Sequence, residues 1–427
     1  MRRPSRHRRS RFLAALLPLL LGLSVAPPAA YAVPPSHSKT LPPPISNGAS
    51  SFDAALYNPA ILRISLSEAK GKTANPQADA FLDLTLVPPE GEVQGYRSEM
   101  SLKRFNELLR ELYRQLASQS QLNVSDLSSP ARQLYSILFQ PVVEQIEKQR
   151  ITTLLISADA GLQAVPFAAL HDGQTYLGER YGLGLTPALG LTKLAVLPEK
   201  AKPQLLAVGA SKFVGLNPLP LVPQELDRVG RGESTQLFLN RSFTPEILLE
   251  KAGDPLTDRV HVATHAEFLP GGAAAARLYS GTGPMSLAQL AQLRQRRGDT
   301  QLDLFSLSAC RTALGDADSE LGFAGLALQA ASRSAIGSLW YVDDVATSAL
   351  FVQFYRFLYR GIPNAEALQY SRPAMPSGTM RLVGDQVIGS GGDVLLSGLT
   401  MAQQRRIDGG LQNPFFWAGI VLLGTPW

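Results

Sequence analysis

RVHVATHAEF, residues 259–268, is followed by LDLFSLSACRTALGD at 302–316 and RSAIGSLWYVDD at 333–344. Three apolar runs inside these stretches, at 260–263, 302–307 and 335–339, are short and end in small or polar residues. Runs of that kind predict buried strands of a parallel sheet. His265 stands just past the end of the first run and Cys310 just past the end of the second. In an open α/β sheet, ligands bind in the crevice at the carboxyl ends of the strands. The three stretches therefore predict an imidazole and a thiol delivered to one rim by two separate strands.

A thiol becomes a strong nucleophile once deprotonated. A neighbouring imidazole can take that proton and hold the resulting ion pair. His265 precedes Cys310 by 45 residues, close to the separation of about 50 found in caspases. The local caspase signature around the cysteine is absent. The oxyanion of an acyl-transfer intermediate needs donors, and the backbone N–H groups of Ala266 and Cys310 sit where such donors belong. A plainer reading makes Cys310 a small buried hydrophobe. Of the five histidines, His7 and His37 fall in the N-terminal segments. His171, before Asp172 and Gly173, reads as a turn residue, and His261 as a core residue of its strand. Order, spacing and strand-end position together favour the His265–Cys310 dyad.

The chain has 427 residues, 45% of them apolar and 18% charged. That is enough for one large domain with a smaller part, and it is not a disordered composition. The net charge of +5 is misleading, because residues 1–32 carry six arginines and no other charge. Without them the balance is −1, so the body offers no electrostatic case for nucleic acid. Residues 1–32 have the layout of a secretory signal: an arginine-rich start, an apolar run at 12–26, and Ala30-Tyr31-Ala32 as a cleavage site. The arginines match a twin-arginine signal only loosely. An uncleaved anchor is the other reading, but the run is short for a span and contains Pro18. The expectation is an exported protein, periplasmic or extracellular, with mature start Val33 and no stable membrane span. Cys310 is the only cysteine. A disulfide within the chain and a multi-cysteine metal site are thereby excluded, and no cofactor is expected.

Residues 33–51 are rich in proline and serine and read as a flexible lead-in. Residues 52–130 read as a small α+β region, with strands at 60–66, 80–87 and 93–97 and a helix at 102–116. Residues 131–427 form the main domain. A helix at 134–149, interrupted at Pro141, leads to a strand at 151–157, an apolar run at 165–170 and strand-like pieces at 176–181 and 182–186. From Pro203 strands and helices alternate. Strands at 205–208 and 236–239 flank a helix at 221–229, and Thr244 caps a helix at 245–251. The loop 269–284 is rich in Gly and Ala, 286–297 reads as one amphipathic helix, and small residues suit a helix at 322–331. A helix at 345–359, a polar hairpin over 379–387 and 393–396, and a buried strand at 415–423 complete the chain. The alternation predicts an α/β fold, a mostly parallel sheet flanked by helices. Gly389-Ser390-Gly391-Gly392 reads as a turn rather than a phosphate loop, and no G-x-S-x-G, Walker A or dinucleotide fingerprint is present.

VHVATHAEF (260–268), LFSLSACRTALGD (304–316), GFAGLALQAASRSAIGSLWYVDDVAT (322–347) and NPFFWAGIVLLGTPW (413–427) resemble the CHAT family, caspase-like domains related to caspases and separases. LLISADAGLQAVPFAALHDG (154–173) and LLAVG (205–209) fit its earlier part. The resemblance covers about residues 134–427. It implies a caspase–hemoglobinase fold and peptide-bond cleavage, with His265 as base and Cys310 as nucleophile. Residues 340–344 resemble the separase stretch whose acid receives a basic substrate residue. Asp344 matches that acid best, with Asp343 beside it. Trp340 fits either a wall of the substrate cleft or a packed core edge. The aspartates also suit an N-cap of the following helix, with Asp344 as the cap. Ala266 stands where the family has glycine, so a left-handed backbone there would be strained. Arg311 stands where an acid commonly follows the cysteine, and could lower the thiol pKa or neutralise the aspartates.

Three functions fit these residues. One is an exported cysteine endopeptidase acting on a protein or peptide, selecting basic residues and open to a regulatory protein partner. The second is a caspase-fold scaffold without activity, and the third is another acyl-transfer hydrolase using the same dyad.

Overall fold

The computed structural model describes residues 57–69, 73–119, 122–159, 161–186, 203–232, 234–267, 276–309, 325, 327 and 331–427. The expected signal at 1–32, the lead-in 33–51, Cys310, Arg311, the loop 312–321 and nearly all of the helix expected at 322–331 lie outside these residues.

The chain enters through three strands, β1 (Pro59–Glu68), β2 (Ala80–Val87) and β3 (Gln94–Met100). β2 buries every second residue, as its period-2 pattern requires. Helix α1 (Leu102–Ala117) buries Phe105, Leu108, Leu112 and Leu116, one stripe at helical spacing. The stretch expected as one interrupted helix is two, α2 (Pro130–Leu138) and α3 (Gln140–Lys148), broken at Phe139 just before Pro141. Strand β4 (Thr153–Ala158) follows, then α4 (Leu177–Arg180) and β5 (Gly182–Thr186). The strand-like piece expected at 176–181 is thus mostly a helical turn. The Glu179 carboxylate accepts the Tyr176 N–H at 2.9 Å, and Gly178 packs against Ala168, where a Cβ would approach to 2.6 Å.

The βα alternation then runs β6 (Gln204–Gly209), α5 (Val222–Val229), β7 (Ser234–Leu239), α6 (Pro245–Gly253) and β8 (Arg259–Ala263). Thr244 caps α6 as expected, accepting the Ile247 N–H at 3.2 Å. The region expected as a loop contributes a small antiparallel sheet, β9 (Ala266–Glu267), β10 (Arg277–Tyr279) and β11 (Pro284–Ser286). The helix expected at 286–297 is two short ones, α7 (Leu287–Leu290) and α8 (Leu293–Arg297), because β11 takes Ser286 into a sheet. After β12 (Leu302–Ser308) and β13 (Ser332–Ser338) come α9 (Asp344–Leu358) and α10 (Asn364–Ser371). The polar insert is a three-stranded sheet, β14 (Arg381–Val383), β15 (Gln386–Ile388) and β16 (Val394–Leu396), followed by α11 (Met401–Ile407). The strand expected at 415–423 begins later, as β17 (Ile420–Gly424), because Asn413 caps a 3₁₀ turn over Pro414–Phe416.

Among the described residues one sheet has the order β3-β2-β1-β4-β5-β17-β13-β12-β8-β6-β7. Seven of its ten pairings are parallel. The three antiparallel ones are β1–β2, β2–β3 and β13–β17. The N-terminal strands therefore extend the main sheet, with β1 pairing in parallel with β4. The β13–β17 reversal sets β1, β4, β5 and β17 against β13, β12, β8, β6 and β7. The carboxyl ends of β8, β12 and β13 consequently share an edge with the amino end of β17, where Leu339 N–H donates to Gly419 O at 2.9 Å. Helices α5, α9 and α10 pack side by side, α1 packs on α2, and α6 packs on α8. No helix among the described residues is long and apolar enough to cross a membrane.

Candidate active site

β8 is buried along its whole length, and the chain surfaces only at His265, which is half-buried. Two bonds fix that exit. Thr264 N–H donates to Ser308 O at 3.2 Å, and the Thr264 hydroxyl donates to Tyr279 O. His265 Nε2 lies 2.8 Å from the carbonyl oxygen of Asn217. A carbonyl only accepts, so Nε2 carries the proton and Nδ1 is left as the basic nitrogen. The Phe213 ring leans on the imidazole at 4.7 Å, tilted by 55°.

The segment that carries Phe213 and Asn217 is itself held. Asn240 Oδ1 accepts from Ser211 N–H at 2.8 Å and Ser211 Oγ at 3.1 Å, and Leu219 N–H donates to Ser211 O at 3.0 Å. Asn240 is in the left-handed region, φ +54°, a conformation asparagine tolerates better than most residues. Gly281 lies against it so closely that a Cβ would come within 1.8 Å of Asn240 O. The segment that carries the Asn217 carbonyl is thus anchored at Ser211, by Asn240 and by Leu219, and Gly281 lies against Asn240. Sequence reasoning missed Asn217, because it acts through a backbone atom.

β12 lies between β8 and β13, with Ser308 opposite Ala263. The last paired residues of β8 and β12 precede His265 and Cys310 by two positions each. The 45-residue spacing in the sequence is therefore the register offset between the two strands. Cys310 itself is outside the described residues. Its chain neighbour Ala309 is tied to β13, accepting the Ser338 hydroxyl at 2.7 Å through its carbonyl. Ala266, the other expected oxyanion donor, opens β9 opposite Leu278. Tyr279 N–H donates to His265 O at 3.0 Å. That alternation leaves the Ala266 N–H out of the β9–β10 ladder. Among the described residues, the non-glycine residues with positive φ are Gln119, Arg150 and Asn240. Ala266 is not one of them, so alanine sits there without the strain considered above.

Beyond β13 the chain delivers Trp340, Asp343 and Asp344. Trp340 is packed: Nε1 donates to Phe415 O at 2.9 Å, the ring stands edge-on to Tyr113 at 5.9 Å, and Gly419 leaves no room for a Cβ beside it. The helix cap is Asp343, not Asp344. Asp343 Oδ1 accepts the N–H groups of Val345 and Ala346, both at 3.0 Å, and Asp344 is the first helical residue. Both carboxylates turn to one cation, Arg406 of α11. Its Nε bonds Asp343 Oδ2 at 2.7 Å, and its terminal nitrogen bonds Asp344 Oδ1. Burial and the charge of Asp343 push the Asp344 carboxyl above the usual range, against the opposing pull of Arg406. Arg406 is the second site residue that sequence reasoning missed.

The other two histidines among the described residues, His261 and His171, are a core and a turn residue. His261 is fully buried, with Nε2 2.9 Å from Glu225 Oε1 and its ring edge-on to Phe351 and Tyr355. The other oxygen of Glu225 accepts the Ser348 hydroxyl, which joins β8 to α5 and α9. His171 Nδ1 accepts the Gly173 N–H at 2.8 Å, and burial lowers its pKa to about 4, so it is neutral near pH 7. No group of three metal-ligating side chains occurs among the described residues.

The sequence profile of the CHAT domain matches residues 128–425. The chain belongs to the CHAT domain family. The match begins at the approach to α2, so β1–β3 and α1 lie outside it while sharing its sheet. The mostly parallel, helix-flanked sheet is the α/β fold class expected from the sequence. No curated protein matches this chain in sequence. Similar solved structures include the Arg-specific cysteine proteinase gingipain R, 11% identical with TM-score 0.41, covering 67% of this chain and 66% of that one. Another is Saccharomyces cerevisiae separase in complex with securin, 11% identical with TM-score 0.49, covering 87% of this chain. This chain spans only 30% of that separase chain.

Proposed function

We propose that this CHAT domain is an exported cysteine endopeptidase in which His265 and Cys310 act as a dyad. The observation that carries the proposal is the orientation of His265, whose Nε2–H is spent on Asn217 O, which leaves Nδ1 as the basic nitrogen at the rim that β12 also reaches. The Cys310 thiol gives its proton to Nδ1, and Sγ adds to the carbonyl carbon of a peptide bond. The carbonyl oxygen takes up the charge facing the N–H groups of Ala266 and Cys310. Collapse expels the amine, which takes the proton from His265 and leaves a thioester. Water, deprotonated by Nδ1, then hydrolyses the thioester and restores the thiol. Asp344 with Asp343 is the candidate acceptor for a basic side chain of the protein or peptide substrate.

A second reading, a scaffold without activity, draws on the acid pair being engaged already by Arg406. One experiment separates the two. Mature chain beginning at Val33 is incubated with fluorogenic peptides, beside Cys310→Ala and His265→Ala. Cleavage that falls by about 10²-fold or more in both variants is expected. No cleavage by the parent chain, together with a Cys310 that iodoacetamide does not label, would establish the scaffold.

A further inference from the structure

Arg406 stands on a weakly anchored element. α11 has seven residues and buries only Gln403 and Ile407. Met401, its first residue, is 64% exposed. Glycines in the left-handed region flank it on both sides, Gly398 at φ +72° and Gly410 at φ +90°. Helices this short are marginal without packing. The Arg406 side chain is 45% exposed, whereas those of Asp343 and Asp344 are 7% and 26% exposed. Two largely enclosed carboxylates, one fixed as a helix cap, thus converge on a guanidinium that enters from the solvent side. A forked guanidinium on paired carboxylates is also how a substrate arginine would bind. Only the guanidinium partner faces solvent, so a competing cation reaches the carboxylates by taking its place.

We propose that Arg406 sets substrate choice at this rim: its guanidinium holds the place of a substrate's basic side chain on Asp343 and Asp344, so a peptide with Arg or Lys before the scissile bond binds only by displacing it. The proposal rests on the peptidase reading of the same rim and names its substrate class. An internal competitor acts at a high effective concentration. The parent chain therefore cleaves Arg-ended and norleucine-ended peptides at similar rates. Removing the competitor uncovers the preference.

The test has a kinetic and a binding arm. In the first, Arg406→Ala and Arg406→Gln are expected to raise the Arg-to-norleucine ratio of kcat/KM by about ten-fold. Asp344→Asn in the same background returns it to the parent value. In the second, agmatine is titrated by calorimetry into Cys310→Ala chains with and without Arg406→Ala. Binding is expected only when Arg406 is absent, and is lost again with Asp344→Asn. Melting curves confirm that each variant is folded. An unchanged cleavage ratio, or agmatine binding indifferent to Arg406, overturns the proposal. Should every variant prove inert as a peptidase, the agmatine arm decides alone: gained binding supports the guanidinium site and its absence refutes it.

Discussion

The two ends of the candidate rim are built differently. At the β8 end, His265 is oriented by a backbone carbonyl, and that carbonyl is held by a run of short contacts back to Gly281. At the β13 end, the acid pair is held by one arginine from a seven-residue helix with a single buried apolar residue. Main-chain geometry moves little without disturbing the sheet, whereas an arginine that is 45% exposed can give way to a competing cation. On the proposed reading, the difference teaches that the group assigned to chemistry is fixed by the fold, while the group assigned to selection is adjustable. Substitutions should separate the two ends, with large effects on stability and turnover at the first and small, reversible ones at the second.

The largest effect is expected beneath β8. Glu225→Ala removes the acceptor shared by His261 and Ser348, leaving two buried polar groups without it. Stability should fall by roughly 3 kcal/mol. Urea titration followed by tryptophan fluorescence measures it. A loss below about 1 kcal/mol would mean that this end is no more rigid than the surface.

Next comes Gly281→Ala. Its Cβ would collide with Asn240 O, so Asn240 must move, and Ser211 and the Asn217 carbonyl with it. A misplacement of about 1 Å at a catalytic base costs about a hundred-fold in rate. Turnover should drop to that extent while the ratio between Arg-ended and norleucine-ended peptides stays constant. A changed ratio would show that the two ends are coupled, and the contrast between them would fail.

Much of the frame was legible because the strands that matter are continuous apolar runs. β8, β12 and β13 emerge within a few residues of the bounds expected for them, and the His-to-Cys spacing encodes their register. Periodicity failed where burial is not one-sided. α10 buries polar Asn364, Glu366, Gln369 and Ser371 along with its apolar residues, so no amphipathic stripe marks it. The strand-like reading of 176–181 failed because Glu179 folds back to cap its own turn. The two missed contributors at the rim share a cause. Asn217 uses a main-chain oxygen, which leaves no trace in residue identity, and Arg406 meets Asp344 across 62 residues. The capping box over Thr400 and Gln403 is a local signal for α11 that the sequence reading passed over, and it carries nothing of what the arginine would face.

The smallest effect is expected at Asp343, and it tests the division of labour within the acid pair. Asp343 Oδ1 satisfies two N–H groups of α9 while Oδ2 takes Arg406. Its replacement by alanine removes a cap, worth about 1 kcal/mol of stability. Asp343→Asn keeps a capping oxygen and should recover most of that loss, because asparagine caps as well as aspartate. The charge it removes adds to burial, the larger cause, in raising the Asp344 pKa. Asp344 should therefore titrate at lower pH in Asp343→Asn, as followed by carboxyl carbon resonances. A carboxylate with a raised folded-state pKa favours the folded state below that pKa, and the advantage is lost as pH rises through it. Asp343→Asn should accordingly flatten the part of the stability-versus-pH curve that belongs to Asp344, in the range above the ordinary carboxylate pKa. An unmoved Asp344 titration would mean that burial, not the charge of Asp343, holds that carboxyl above its usual range.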